Sequence, residues 1–434
     1  MNRKETFCIM PFVHLHNMSN GLLKMCCLVE KPIIDDFGDT YFVGNQPIET
    51  VWNSNFLKSA RKMMLNNQEV NICHHCYSIE DNGGKSLRQE YNEQYSKKYF
   101  KIVEESKNND FNVTTFPPFV ELRSGNKCNT SCRMCNPNDS SLVLQEHKKI
   151  HLTLRDTNLS PETKSNGYAM LGNPERIIFG NTDSELSKIK SDIDAHYNEI
   201  IEHITEIDTL TLSGGEPFLL EKTVELFEQI REKNPNIRLN INTNGSISSD
   251  RILNAIQSMN DVRLCVSLDG YGSVQEYIRY PLKWNKIEEN INSFYNSGNK
   301  NLHLSFNCTV QSFNILDLDT MILFLVRKYS KTFLNLSVLE NPNFLNIKIL
   351  PKEVREHAIQ KLNNLIEELN TIIDPVTEHN IQQLITSLTT IISILEQSTG
   401  DTKFFGRFLD NIKIYDLYRN QDIKQMIPNW ITYL

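Results

Sequence analysis

No stretch of 18 consecutive apolar residues occurs in this 434-residue chain, so no transmembrane helix is expected. The opening MNRKETFCIMPF has no apolar core of secretory length, which argues against a signal peptide and for a cytoplasmic protein. Basic residues are not in excess: 45 Lys and Arg stand against 53 Asp and Glu, a formal net charge of −8. A nucleic-acid reader usually presents a basic face, so binding along a phosphate backbone is disfavoured. No internal repeat and no low-complexity tract is found, which leaves globular domains. Hydrophobic residues make up 39%, enough to bury a core, and the length fits two or three units or one large α/β barrel with attachments. Ten cysteines in a reducing compartment read as metal ligands, where clustered, before disulfides.

Three regions differ in texture. Residues 1–100 hold five of the ten cysteines and one clear helix, near Asn55–Asn66, with Ser54 as its N-cap. The polar stretch Asn92–Thr115 reads as a linker or an exposed helix. From 116 to 340, short β-type runs alternate with amphipathic helices. The strands expected are Phe119–Arg123, Thr209–Ser213, Arg238–Thr243, Arg263–Leu268, His303–Thr309 and Phe333–Val338; the helices include Glu221–Lys233, Ser248–Met259 and Ile315–Tyr329. Strands alternating with helices imply parallel units. Six of them predict an α/β fold, a partial (β/α)6 TIM-like barrel with reactive groups at the strand C-termini. About 85 residues separate the first two strands, far more than a usual crossover, so an insertion is expected at about 138–207, with a helix near Glu185–Ile207. Residues 351–434 read as a helical C-terminal region, with helices at Glu353–Asn370, Glu378–Gln397 and Phe404–Ile412.

The most informative stretch is Cys128-Asn-Thr-Ser-Cys132-Arg-Met-Cys135, directly after the first barrel strand. Three thiolates on one tight loop can hold three irons of a [4Fe–4S] cube. The fourth iron then keeps an open position for a substrate or cosubstrate, as open metal sites do. A zinc loop short of one ligand is the competing assignment, although zinc normally takes two ligand pairs. Leu212-Ser-Gly-Gly-Glu216-Pro-Phe218 ends the second strand; its glycines allow close backbone approach, and Glu216 offers an acceptor for a ligand amine. Asn242-Thr-Asn-Gly245 ends the third strand and Ser267-Leu-Asp-Gly270 the fourth. Each alone reads as an ordinary β-α turn. Four at the same edge, in order, point to a site.

In that ordered combination the chain resembles the radical S-adenosylmethionine (SAM) superfamily, over about Phe116–Glu340. The resemblance implies that Cys128, Cys132 and Cys135 bind a [4Fe–4S] cluster whose fourth iron chelates SAM through its amino and carboxylate groups. Gly214, Gly215 and Glu216 would bind the amino group; Thr243, Asn244, Ser267 and Asp269 would meet the ribose and methionine parts. Arg279 would pair with the SAM carboxylate, with a solvent-facing arginine as the alternative; Gln311 and Asn314 are weaker candidates near the adenine. Reductive cleavage of SAM to a 5′-deoxyadenosyl radical, followed by hydrogen abstraction from substrate, is the implied reaction. An external one-electron donor such as flavodoxin or ferredoxin is the implied partner. Two features depart from the pattern: Met134 stands where an aromatic residue is common, and the gap from Cys135 to Gly214 is long.

Residues 1–100 resemble the SPASM/Twitch elements that carry auxiliary clusters. The matching features are Gly21-x-x-x-x-Cys26, Gly44-Asn45, Trp52-Asn-Ser54, Arg61 and Cys73-x-x-Cys76. They imply one auxiliary iron–sulfur cluster, a [4Fe–4S] or else a tetrahedral zinc by spacing alone, on Cys8, Cys26, Cys73 and Cys76; Cys26 fits better than Cys27. Such an element usually follows the barrel and here precedes it. Enzymes with this element often modify peptides or proteins, which makes a peptide or protein the expected substrate and small-molecule tailoring the alternative. A non-catalytic iron–sulfur carrier and a zinc-stapled binding protein are the rivals from other classes. Cys265 and Cys308 are expected as small core residues.

Overall fold

The computed structural model describes residues 5–29, 31–172, 183–372 and 377–434. Residues 173–182 of the expected insertion lie outside these. Among the described residues ten strands form: β1 His14–Asn17, β2 Leu23–Lys24, β3 Phe119–Arg123, β4 Ser131–Cys132, β5 Thr209–Ser213, β6 Arg238–Thr243, β7 Asp261–Ser267, β8 Arg279–Tyr280, β9 Leu302–Val310 and β10 Phe333–Val338. The result is a mixed α/β architecture with an eight-stranded, mainly parallel sheet and a helical C-terminal region. Among the described residues, no helix is long and apolar enough to cross a membrane. The chain divides into two compact units: Met1–Lys127 with Asp183–Ile241 and Asn254–Val262, and Cys128–Thr182 with Asn242–Leu253 and Arg263–Leu434.

In the first unit the strand order is β2-β1-β3-β5-β6, parallel from β1 to β6, with β2 antiparallel at the edge. The reason lies in the alternation along each strand. Val120 and Leu122 of β3 point into the core while Glu121 and Arg123 point to the other face, and β5 repeats the pattern. β1 is an addition to the six expected strands. The short polar run His-Leu-His-Asn carries no strand signal, yet it pairs in parallel with β3, His16 opposite Glu121. Asn17 extends the ladder: its Nδ2 donates to the Arg123 carbonyl at 2.9 Å and its Oδ1 accepts the Arg123 N–H at 3.0 Å.

The N-terminal helix forms over Asn55–Leu65, capped by the Ser54 hydroxyl, which accepts from the Leu57 N–H. Further helices at His74–Asp81, Leu87–Tyr95 and Phe100–Asn108 make this region far more helical than its sequence suggests. The second of these starts on a capping box, Ser86 with Gln89. The stretch 92–115, expected as a linker or an exposed helix, takes the helical alternative over 92–95 and 100–108. Arg61 is fully buried and ties three segments together, donating to the carbonyls of Pro11, Trp52 and Phe111.

In the second unit β7, β9 and β10 carry the sheet, and β4 and β8 form a separate antiparallel ribbon. Along β9, Leu304, Phe306, Cys308 and Val310 are buried, so Cys308 is the core residue its neighbours suggest. Cys265 is not. It shares a face of β7 with Arg263 and Ser267 and is only half-buried, because strand alternation sends it opposite Leu264 and Val266. Helices Lys352–Thr371 and Glu378–Gln397 follow the apolar spacing closely. The last long helix, Thr402–Arg419, outruns the expected Phe404–Ile412. Its polar end, Asp416 to Arg419, is held by buried charged partners that hydrophobic periodicity does not register.

Candidate functional site

The three-cysteine loop begins five residues after β3. Its backbone is fixed by the β4–β8 ribbon, which sets Cys132 opposite Arg279 and Ser131 opposite Tyr280. Thr130 Oγ1 lies 3.1 Å from Cys128 Sγ and 3.4 Å from Cys132 Sγ, so one hydroxyl contacts two of the thiols. Arg279 is largely withdrawn from solvent, its side chain 12% exposed, so it is not the solvent-facing arginine of the alternative. Its Nε donates to Asp269 Oδ2 at 2.6 Å and its Nη1 approaches Cys132 Sγ at 3.9 Å. Asp269 is fully buried, and its second oxygen accepts the Thr309 N–H at 2.8 Å. Burial pushes the Cys132 thiol above its ordinary range, and the Arg279 charge opposes that push. Burial raises the Cys135 thiol too, reinforced by Cys132 and Asp139.

The strand ends around this loop are joined to it. Asn244 Nδ2 donates to Asn129 Oδ1 at 2.8 Å, Asn129 Nδ2 donates to Ser246 Oγ at 2.8 Å, and the Ser246 N–H donates to Asn244 Oδ1 at 2.9 Å. This closed ring ties the end of β6 to the residue after Cys128. Thr243 Oγ1 accepts the Gly245 N–H, and the Ser267 carbonyl accepts from Gln275 Nε2. Asn314 Nδ2 donates to the Asp269 carbonyl at 2.9 Å, and the Gln311 N–H donates to Asn314 Oδ1 at 2.8 Å. These side chains stiffen the loops that carry them.

The Gly-Gly-Glu turn belongs to the first unit. Gly214 has φ +105°, and a Cβ there would stand 2.8 Å from the Ser124 nitrogen. A Cβ on Gly215 would stand 2.2 Å from the Lys127 carbonyl oxygen. What approaches these glycines is therefore the protein's own loop after β3, the segment leading into Cys128. The Gly215 and Glu216 N–H groups donate to the carbonyls of Gly125 and Lys127 at 2.8 and 2.9 Å. Glu216 is buried, and its carboxylate accepts the Phe218 N–H at 3.2 Å.

Also in the first unit, Cys8, Cys26, Cys73 and Cys76 line one cavity, with Arg88 and Tyr91 beside them; Cys27 is not part of its wall. Much of the remaining wall is aliphatic, including Met25, Val29 and Leu87. Burial pushes the Cys73 thiol up to about 12, and the neighbouring Cys26 and Cys76 add to the shift. Cys27 is also pushed up to about 12, by burial and then by Glu121. It faces a different group, in which Glu121 Oε2 lies 3.1 Å from His16 Nδ1 and 3.5 Å from His14 Nε2. Arg88 is buried and forms a two-point ion pair with Glu80 at 2.9 and 2.7 Å. His74 and His75 are exposed on the helix His74–Asp81.

Sequence reasoning missed three arginines: Arg88, and Arg133 and Arg419 at the three-cysteine loop. Nothing local marks a buried arginine; only its carboxylate partner in space does. Among the described residues no three His, Cys, Asp or Glu side chains are close enough to hold a single metal ion. Ligands of a cube bind separate irons, so that spacing is not required of them. The donor chemistry fits such clusters: four thiols around a largely aliphatic cavity, whose wall also includes His75, and three on one loop beside a cation.

No curated protein matches the chain. Among solved structures it is similar to native anSMEcpe with bound AdoMet and Cp18Cys peptide, at 17% identity over 59% of this chain and 62% of that one, with a TM-score of 0.34. It is similar to Streptococcus suis SuiB bound to S-adenosylmethionine at 12% identity, over 82% of this chain and 64% of that one, with a TM-score of 0.35. With SuiB bound to precursor peptide SuiA the values are 13%, 74%, 61% and 0.34. The chain thus spans about three fifths of the length of these structures. Residues 122–325, which run from β3 past β9 and contain the three-cysteine loop and the Gly-Gly-Glu turn, match the family model described as Radical SAM superfamily, and the chain therefore carries a domain of that superfamily.

Proposed function

We propose that the chain is a radical SAM enzyme that removes a hydrogen atom from a peptide or protein substrate. The observation that carries this reading is the loop Cys128–Cys135, braced so that Arg279 faces Cys132, inside the segment matching the superfamily. A [4Fe–4S] cluster with SAM would supply one-electron cleavage of the sulfonium and a 5′-deoxyadenosyl radical. The protein's own residues do the rest. Cys128, Cys132 and Cys135 provide three thiolates and leave one corner for SAM. Asp269 occupies the Nε edge of Arg279 and so aims the other end of the guanidinium at the loop. There it can hold charge against Cys132 and meet the SAM carboxylate. By the superfamily resemblance, Gly214, Gly215 and Glu216 would bind the SAM amino group, and Thr243, Asn244, Ser267 and Asp269 would meet its ribose and methionine parts. Cys8, Cys26, Cys73 and Cys76 would hold an auxiliary cluster in their largely aliphatic cavity. The peptide or protein substrate follows from the likeness of residues 1–100 to SPASM/Twitch elements, and a flavodoxin or ferredoxin would deliver the electron.

The test is anaerobic. Reconstituted protein with dithionite and SAM should release 5′-deoxyadenosine without any substrate, and alanine at all three loop cysteines should abolish it. S-adenosylhomocysteine as the sole product would redirect the reading to methyl transfer. With a deuterated peptide digest added, deuterium should appear in the 5′-deoxyadenosine. Transfer only from a deuterated small-metabolite extract would favour small-molecule tailoring instead.

A further inference from the structure

The helix Thr402–Arg419 lies beyond residues 122–325, the stretch that matches the superfamily, yet it reaches the residues on both sides of Cys132. Arg419 Nη2 donates to the Ser131 carbonyl at 2.7 Å and to the Ser131 hydroxyl at 3.2 Å. The same guanidinium grips Glu146 at two points, 2.7 and 2.6 Å. Glu146 lies on the helix Ser141–Thr153, and its carboxylate also accepts from the Ser131 hydroxyl. On the other side, Arg133 Nη2 pairs with Asp416 Oδ1 at 2.7 Å. Its Nε donates to the Tyr277 carbonyl, its guanidinium stacks 3.7 Å from the centre of the Tyr277 ring, and the Tyr277 hydroxyl closes the circuit on Asp416 at 2.7 Å. Asp416 and Arg419 are three residues apart and share one face of their helix. One turn of the C-terminal helix therefore holds Ser131 and Arg133 at once.

We propose that Arg419 and Asp416 are positioning residues for the three-cysteine loop, so that the C-terminal helix is a working part of the SAM site. Two arginines with fully buried side chains and two nearly buried carboxylates are a costly way to glue a helix down. Apolar contacts of the same volume would serve stability as well or better. What forked ion pairs add is geometry, because a planar guanidinium accepts few orientations. Here that geometry is applied to the peptide units flanking Cys132, while the β4–β8 ribbon holds the opposite edge. The proposal rests on the reading that this loop binds the cluster.

The test begins with the full-length, metal-free protein. Pulsed alkylation read by mass spectrometry reports how often each buried thiol opens. Cys132 and Cys76 are similarly buried, at 8% and 9% exposure, so Cys76 is the internal control. Arg419→Met should speed modification of Cys132 by at least about tenfold, since opening no longer breaks a buried ion pair, and leave Cys76 unchanged. In the reconstituted protein the same variant should keep its iron but lose the SAM-induced change in the EPR spectrum of the loop cluster. Equal Cys132 rates in the wild type and the variant overturn the proposal. If Arg419→Met exposes Cys76 as well, Arg419→Lys decides: it keeps the charge beside Glu146 and loses the fork. Selective opening of Cys132 in that variant supports the proposal, and unselective or absent opening overturns it. If alanine at Cys128, Cys132 and Cys135 removes no iron, the cluster reading fails on its own, whatever the alkylation rates.

Discussion

The four N-terminal cysteines face a largely aliphatic cavity, and the arginine in its wall, Arg88, is already paired with Glu80. The three cysteines of the central loop are surrounded by guanidinium groups: Arg279 beside Cys132, Arg133 within the motif, and Arg419 on the Ser131 carbonyl. The contrast matches ligand count. Four thiolates can saturate a cube, and such a site needs chiefly to exclude water and hold its ligands. Three leave a corner open, and a loop that must present that corner to a charged cosubstrate needs both a fixed backbone and a fixed field. Ion pairs cost more desolvation than aliphatic contacts, so finding them at one site and fewer at the other marks where orientation matters.

The sharpest way to break this comparison is to remove each set of thiols. Reconstituted protein should carry about eight irons, four per cube. Alanine at Cys128, Cys132 and Cys135 should leave about half of that iron and no 5′-deoxyadenosine. Alanine at Cys73 and Cys76 should also leave about half, but retain 5′-deoxyadenosine release and lose the substrate reaction. Equal loss of cleavage in both would erase the distinction. Next in size, Arg88→Met removes the arginine from the Glu80 carboxylate and leaves it with uncharged contacts such as the Ser86 hydroxyl. It should cost about 3–5 kcal/mol, read as denaturant midpoint shift, while Cys132 protection stays as in the wild type.

Each unit also carries a buried histidine held neutral. Burial lowers His196 in the first unit to about 4, and His147 in the second to about 4. Their folded values lie below the unfolded value, so their stabilisation is present above about pH 6.5 and lost as pH falls towards 4, by about 3 kcal/mol each. Thermal unfolding should show that acid loss, and His196→Phe should shrink it. A pH-independent Tm over this range would contradict both assignments. The smallest effect sharpens the open-corner side. Glu216→Ala should weaken SAM binding by about 1.5–3 kcal/mol, the contribution of a hydrogen bond to a charged group. Calorimetry showing unchanged affinity would remove Glu216 from the site.

Much of the sheet was legible. β3, β5, β6 and β10 form on the residues expected, and β7 and β9 shift at their ends by one or two. Period-two burial is written into each strand, and turn residues bound it. β1 was not legible, because His14–Asn17 has no alternating apolar pattern and forms only against β3. The helices His74–Asp81 and Leu87–Tyr95 were missed for a related reason: their sequences are polar, and they are held by caps such as Ser86 with Gln89 and by the buried Arg88. Cys265 was misjudged because an apolar strand was read without asking which face it takes.

The sequence by itself determined which residues are the candidates for the chemistry. The thiol spacing at Cys128, Cys132 and Cys135 and the polar ends of successive strands are local patterns, and local patterns survive without a fold. Tertiary structure alone decided how that chemistry is held. Asn17 meets Arg123 across 106 residues, Arg279 meets Cys132 across 147, and Arg419 meets Ser131 across 288. Groups this polar are buried only when their partners are already in place, since an unpaired buried charge costs several kcal/mol. Their positions are therefore a property of the folded protein, and no window of sequence contains them.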